Sequence, residues 1–199
     1  MEQKPVGLLS LQGDYEKHRR AFAALGRETF GVRRPAELDQ ISCLVIPGGE
    51  STTLTRLMDR VQLRQPLLDF AATRPVMGTC AGLIMMATAT ADEARADYGV
   101  EPLGMLDCTV LRNGYGRQID SFTAPVGIDV LDGSEACFPA VFIRAPRIVA
   151  VGENVDVVAR YGQEPVAIRQ GNLLGLTFHP ELTDDLRIHQ AFLKLVDNA

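Results

Sequence analysis

The sequence predicts an α/β fold of three layers, with a mostly parallel central sheet, helices on both faces and some antiparallel strands in the C-terminal half. Three observations carry this. Residues 6–87 alternate short apolar runs with stretches of helical spacing, the signature of a parallel sheet covered on both faces. From Thr109 to Thr177, β-rich pieces follow one another too closely for helical crossovers, so some must pair antiparallel. The chain has 199 residues, 46% of them hydrophobic, which suits one well-filled core.

Val6 to Leu11 is a short apolar run ending at Gln12-Gly13, which predicts a buried first strand and a turn. Tyr15, His18, Phe22 and Leu25 recur at helical spacing, and Gly26 is the expected stop. Glu28 to Val32 is a candidate second strand. Cys43 to Ile46 is a clearer third, ended by Pro47-Gly48-Gly49. A helical stretch is expected from about Thr52 through Phe70, broken near Gln65-Pro66. Val76 to Thr79 reads as a strand that runs into Cys80-Ala81-Gly82 and an apolar helix from Leu83 to Ala87. Residues 88–104 lose the pattern and are expected to form a polar loop.

The later β-rich pieces are Val126 to Val130, Val141 to Ile143, Ile148 to Val151, Val155 to Ala159, Val166 to Arg169 and Leu173 to Phe178. An amphipathic helix is expected from Asp184 to Asn198, with Leu186, His189, Phe192, Leu193 and Val196 on one side. Thr183 is its candidate N-cap, and Asp184 and Asp185 suit the positive end of its dipole. No linker or repeat interrupts the chain, so residues 1–199 are read as one domain.

Net charge is −5 and there is no basic run, which argues against a nucleic-acid surface. The N-terminus carries no long apolar leader, and no apolar run approaches the roughly 20 residues needed to cross a bilayer. A cytoplasmic protein is expected. The four cysteines, Cys43, Cys80, Cys108 and Cys137, form no CxxC pair, which argues against zinc. In a reducing compartment they are free thiols. No metal and no cofactor is expected.

Three segments carry candidate chemistry. Gly78-Thr79-Cys80-Ala81-Gly82 joins a strand to a helix with small residues on both sides of a nucleophile, the pattern of a nucleophile elbow. There the helix dipole favours a thiolate, and the Ala81 N–H can face a developing oxyanion. The alternative is a core cysteine packed in a strand-to-helix turn. Phe178-His179-Pro180-Glu181 follows an apolar strand, at the edge where ligands bind in open α/β sheets. His179 and Glu181 lie two apart and can project the same way from an extended chain, stiffened by Pro180, as base and orienting acceptor. The alternative is a surface pair. His18 and His189 fall on helices without such a setting and are expected to be structural or surface residues. Pro47-Gly48-Gly49-Glu50-Ser51-Thr52 lacks the lysine of a phosphate-binding loop. It is either an ordinary turn or a source of free backbone N–H groups for an anion.

Taken together, Gly-x-Cys-x-Gly, His-Pro-Glu and the upstream Pro-Gly-Gly loop resemble the class I, triad-type glutamine amidotransferases. Many members carry Gln or His two residues after the second glycine of the elbow, where this chain has Ile84. Further motifs narrow the resemblance. They are Leu11-Gln12-Gly13, Cys80-Ala81-Gly82-Leu83-Ile84, Arg112-Asn113-Gly114-Tyr115-Gly116-Arg117-Gln118 with Ser121-Phe122, Phe142-Ile143-Arg144-Ala145-Pro146 and His179-Pro180-Glu181-Leu182. In this order they are similar to the glutaminase subunits of pyridoxal 5′-phosphate synthases, over nearly the whole chain.

The resemblance implies a flavodoxin-like sheet and hydrolysis of L-glutamine to glutamate and ammonia. Cys80 would be the nucleophile, His179 the base and Glu181 its orienter. Gly49 and Ala81 would form the oxyanion hole. Gly49, Glu50, Ser51, Arg112, Ile143 and Arg144 would bind substrate, and Gln12 and Gly48 would respond to docking. The implied partner is a (β/α)8-barrel pyridoxal 5′-phosphate synthase subunit in a hetero-oligomer, which receives the ammonia. Rival readings are the glutaminase of another amidotransferase such as that of the histidine pathway, a non-catalytic module on the same fold, and an α/β cysteine hydrolase acting on other amides.

Overall fold

The computed structural model describes residues 4–91, 99–115, 121–128, 131, 133 and 136–197. The first half contains β1 (Val6–Leu9), α1 (Tyr15–Ala24), β2 (Thr29–Val32), β3 (Cys43–Ile46), α2 (Ser51–Arg60), α3 (Arg64–Ala71), β4 (Val76–Thr79) and α4 (Ala81–Met86). Then follow β5 (Ala87–Thr90), β6 (Leu106–Leu111), β7 (Ser121–Val126), β8 (Phe138–Ile143), β9 (Arg147–Val151), β10 (Asp156–Tyr161), β11 (Glu164–Gln170), β12 (Leu173–Leu176) and α5 (Arg187–Asp197).

The main sheet has seven strands in the order β10-β11-β12-β4-β3-β1-β2. The five from β12 to β2 are parallel, and β10 and β11 extend that sheet antiparallel at one edge. Numbered by chain order, the parallel strands run 2-1-3-4-5 from the β2 edge, which is the flavodoxin-like order. Side chains alternate across each strand, so neighbours in sequence feed opposite faces. Leu9, Leu44 and Ile46 pack with α2, α3 and α4 through Leu54, Met58, Leu67 and Met85. Leu8, Cys43 and Val45 pack on the other side with α1 and α5 through Phe22, Ile188 and Phe192. These are the three layers, and both faces of the inner parallel strands are buried as such strands require, while the edge strand β2 is only partly covered. Two smaller sheets, β5-β6-β9 and β7-β8, stand beside the main one.

The helical stretch breaks at Gln62, where φ is +56°, rather than at Gln65-Pro66. Pro66 instead sits in the first turn of α3, where an amide proton has no partner inside the helix. Ala87, expected to end the helix, and residues 88–90, expected as loop, form β5; Thr88 and Ala89 are exposed, so no apolar run marks the strand. The strand expected at Val126 to Val130 is displaced: β7 ends at Val126, and residues 129–130 lie outside those described. The C-terminal helix begins at Arg187, not Asp184. Thr183 Oγ1 accepts the Asp185 N–H at 3.1 Å and Asp185 Oδ1 accepts the Arg187 N–H at 3.1 Å, which hands the cap on by two residues. Among the described residues, no helix is long and apolar enough to cross a membrane.

Candidate active site

Cys80 is the single residue between β4 and α4. Its φ of +50° and ψ of −106° lie in a region that side-chain-bearing residues rarely adopt. The strain is held by packing on both sides. The Cys80 N–H donates to Leu176 O on β12 at 2.8 Å. A Cβ at Gly82 would run into the Ile46 carbonyl, and one at Gly78 would stand 2.5 Å from the Met86 sulfur. Only glycine allows β3, β4 and α4 to approach this closely, so the small residues of the elbow are a packing requirement.

β12 lies beside β4 in parallel, with Leu176 paired to Thr79. Their C-terminal ends therefore deliver His179 and Cys80 to neighbouring positions. The His179 N–H is clamped on Val141 O at 2.8 Å, and Nδ1 stands 2.7 Å from Glu181 Oε1. The pair meets by a different geometry from the extended one expected. His179 is extended, but Pro180–Leu182 form a 3₁₀ turn that folds the Glu181 carboxylate back under the imidazole. Proline suits the first position of such a turn because its φ is preset.

All three groups are withdrawn from water, with Cys80 and Glu181 each 7% exposed and His179 6%. Burial disfavours charge on His179, yet hydrogen bonds to Cys80 and Glu181 outweigh it and push the ring's pKa up to about 10. Burial would likewise raise the Glu181 carboxyl. His18 behind it, and the hydrogen bond and charge of His179 in front, hold it below its usual range. His179 is therefore set to hold a proton at neutral pH, with Nδ1 on Glu181 and Nε2 left for the cysteine.

A cavity of about 460 Å³ opens over Cys80 and His179. The C-terminal ends of four parallel strands line it: Gln12 after β1, Gly48 to Thr52 after β3, Cys80 and Ala81 after β4, and His179 after β12. Two segments from the smaller sheets complete it, with Arg112 and Asn113 after β6, and Ile143 at the end of β8 with Arg144 after it. The cavity thus gathers every residue expected to bind substrate, form the oxyanion hole or respond to docking; Glu181 stands just behind it. Ile84, the departure from the common pattern, also faces it. Gly116, Arg117 and Gln118 lie outside the described residues.

Local contacts show why these motifs are built as they are. Gln12 Oε1 accepts the Glu50 N–H at 2.9 Å, and Gly48 O accepts the Asp14 N–H at 3.3 Å. The glycine loop therefore hangs on the turn after β1. Asn113 and Arg144 both have positive φ, +49° and +42°, and the Gly114 N–H donates to Ala145 O at 3.0 Å, joining their loops. Tyr115 packs on Phe122 and Phe142, and the Arg147 guanidinium, paired with Glu164, lies over its ring. These contacts anchor the Arg112 segment to the β7–β8 hairpin.

Sequence reasoning assigned no role to Asp14, Thr52 or Asn113, which also line the cavity. It also set aside His18 and His189. Neither is a surface residue: both are fully buried, and they stand behind Glu181. No local pattern announces this, because the two histidines come from helices at opposite ends of the chain.

Fold and site together define a triad-type glutamine amidotransferase architecture, and comparison with known proteins agrees. Residues 8–198 match the model of the SNO glutamine amidotransferase family. The chain belongs to that family. It is 45% identical over 192 residues to the pyridoxal 5′-phosphate synthase subunit PdxT of Thermotoga maritima, covering 96% of this chain and 98% of that one. It is 49% identical over 196 residues to the PdxT subunit of Geobacillus kaustophilus, covering 98% and 95%. A crystal structure of a glutamine amidotransferase superposes with a TM-score of 0.88 at 39% identity, covering 96% of this chain and 98% of that one. PurLQS from Thermotoga maritima superposes at a TM-score of 0.70 with 15% identity, covering 98% and 99%, a likeness of fold alone.

Proposed function

We propose that the chain is the glutaminase subunit of a pyridoxal 5′-phosphate synthase, a single domain over residues 1–199. It hydrolyses L-glutamine and passes the ammonia to a partner synthase. The observation that carries this reading is that Cys80 and His179 line one cavity with Arg112, Arg144 and Glu50, while Glu181 holds His179 from behind. Relatives at 45–49% identity named as pyridoxal 5′-phosphate synthase subunits support that destination over the histidine pathway.

With the proton that the pair shares already on His179, Cys80 Sγ attacks the side-chain amide carbon of glutamine. The carbonyl oxygen gains the charge and is held by the N–H groups of Ala81 and Gly49; one such donor is typically worth about 3 kcal/mol. The C–N bond breaks as His179 protonates the nitrogen, and ammonia leaves. Water then adds to the glutamyl thioester with His179 as base, releasing glutamate and restoring the thiol. Free glutamine is a zwitterion. Arg112 and Arg144 offer planar donors for its α-carboxylate and Glu50 faces its α-ammonium, while Ser51 and Ile143 complete the wall.

The ammonia acceptor is a (β/α)8-barrel synthase subunit, and docking in a hetero-oligomer arranges the oxyanion hole. Support comes from the way Gly48-Gly49 is suspended. Its carbonyl is held by the Asp14 N–H and the following amide by Gln12, so a shift of the turn after β1 reorients a peptide flanked by glycines. Ammonia release from glutamine, measured with and without the synthase, tests this. Turnover is expected to rise on adding the synthase; equal rates would refute activation by docking, and no turnover in either state would refute the glutaminase reading.

A further inference from the structure

The Glu181 carboxylate has two oxygens and only one is used by the triad. Oε1 faces His179, whereas Oε2 is buried with no well-aligned hydrogen-bond donor among the described residues. The group nearest to it in charge terms is His18 Nε2, 3.3 Å away, on a side chain that is fully enclosed. The same nitrogen is 3.4 Å from Thr79 Oγ1, one residue before Cys80. On the other side of the ring, His18 Nδ1 stands 3.0 Å from His189 Nε2. Phe22 packs edge-on against the His189 ring, with centroids 5.0 Å apart.

Two imidazole nitrogens 3.0 Å apart must share one proton, and this decides the state of the whole chain. Suppose His18 Nδ1–H donates to His189. A neutral His18 then turns a lone pair on Nε2 toward the carboxylate. His189 must carry its own proton on Nδ1, which is buried and has no partner among the described residues. Two costly arrangements result: an orphaned donor, and lone pairs facing each other. Suppose instead His189 Nε2–H donates to His18 Nδ1. The one remaining proton of His18 then lies on Nε2, the nitrogen 3.3 Å from Glu181 Oε2, and only an acceptor on His189 is left without a partner. The second arrangement satisfies the carboxylate and removes both penalties.

We propose that His18 is a positioning residue for the reaction of this site: its neutral ring donates Nε2–H to Glu181 Oε2 and is locked in that tautomer by His189. The hydrogen-bond chain then runs from Cys80 through His179, Glu181 and His18 to His189, tying the triad to α1 and α5. This rests on the glutaminase reading for its catalytic consequence, but the tautomer follows from the fold alone. The titratable groups facing His18 are Glu181 and His179 after β12, Asp14 before α1 and His189 on α5. Burial holds His18 below its ordinary imidazole value, and burial and His18 together lower His189 to about 3, so both rings are neutral at working pH. Each neutral ring has one proton to place. A carboxylate accepting from both sides is fixed in the rotamer that aims His179 at the sulfur.

Two measurements test this. Nitrogen chemical shifts of histidine-labelled wild-type chain at neutral pH report the tautomer directly. Protonated Nε2 and bare Nδ1 at His18 are expected, and the reverse overturns the proposal whether or not the protein has glutaminase activity. Turnover is then compared in the synthase complex, with wild-type turnover as the control for the glutaminase reading. His18→Leu removes the donor, whereas His18→Gln keeps an N–H where Nε2 stood. His18→Leu is expected to lower kcat by about 10–100-fold with KM little changed, and His18→Gln to recover most of that loss. Wild-type kcat in a folded His18→Leu variant overturns the proposal, as does an equal defect in both variants, which would mark a packing role for the ring. Should His18→Leu fail to fold, the tautomer decides.

Discussion

Replacing Cys80 by alanine is expected to abolish ammonia release from glutamine in the synthase complex, by about 10⁴-fold or more. The size follows from the step removed: without sulfur there is no thioester, and water must attack an unactivated amide. The substitution is well isolated. Alanine bears the same backbone strain as cysteine at φ +50°, and the elbow's packing is set by Gly78, Gly82 and the Leu176 carbonyl rather than by the thiol. Folding and synthase binding should therefore survive. The check is ammonia release by wild type and Cys80→Ala in one assay; a variant within tenfold of wild type would remove Cys80 from the chemistry.

The second large effect is expected at Glu181. Glu181→Gln keeps the shape of the side chain but removes its charge and brings an amide between two histidines. The carboxylate is one of the groups that hold a proton on His179, and it fixes which ring nitrogen faces the sulfur. With an amide in its place, the ring can carry its proton on the wrong nitrogen. A fall in kcat on the order of 10²–10⁴ is expected, with KM within a few-fold, as when a triad acid loses its charge elsewhere. Steady-state kinetics with the synthase present measure it. An unchanged kcat would mean that His179 is oriented by its backbone clamp on Val141 alone.

The parallel half of the fold was readable because most of its strands are short apolar runs bounded by turns, as at Cys43–Ile46 and Val76–Thr79. The smaller sheets were less so. β5 reads Ala-Thr-Ala-Thr and exposes two of its residues, and β7 carries no apolar run that marks its start, so neither gives a local signal. Within the site, Cys80, His179 and the glycine loop were legible because close approach and strand ends impose local sequence. A glycine is needed wherever a neighbouring backbone occupies the place of a Cβ. What could not be read was the depth behind the triad. His18 and His189 look like ordinary members of amphipathic helices, and only tertiary packing brings residues 171 positions apart to within 3.0 Å. The 3₁₀ turn at Pro180–Leu182 was missed for a related reason, since His-Pro-Glu is equally compatible with an extended chain.

The proposed function turns on Cys80 as a nucleophile aimed at glutamine. A chloroketone or diazoketone analogue of glutamine tests it most directly, followed by intact-mass and peptide mapping with and without competing glutamine. Burial pushes the Cys43 and Cys108 thiols up to about 12, so neither should compete at neutral pH. One adduct is expected, on Cys80, and glutamine should slow its formation. Labelling at Cys43, Cys108 or Cys137 instead, or labelling of Cys80 that glutamine does not slow, would contradict it.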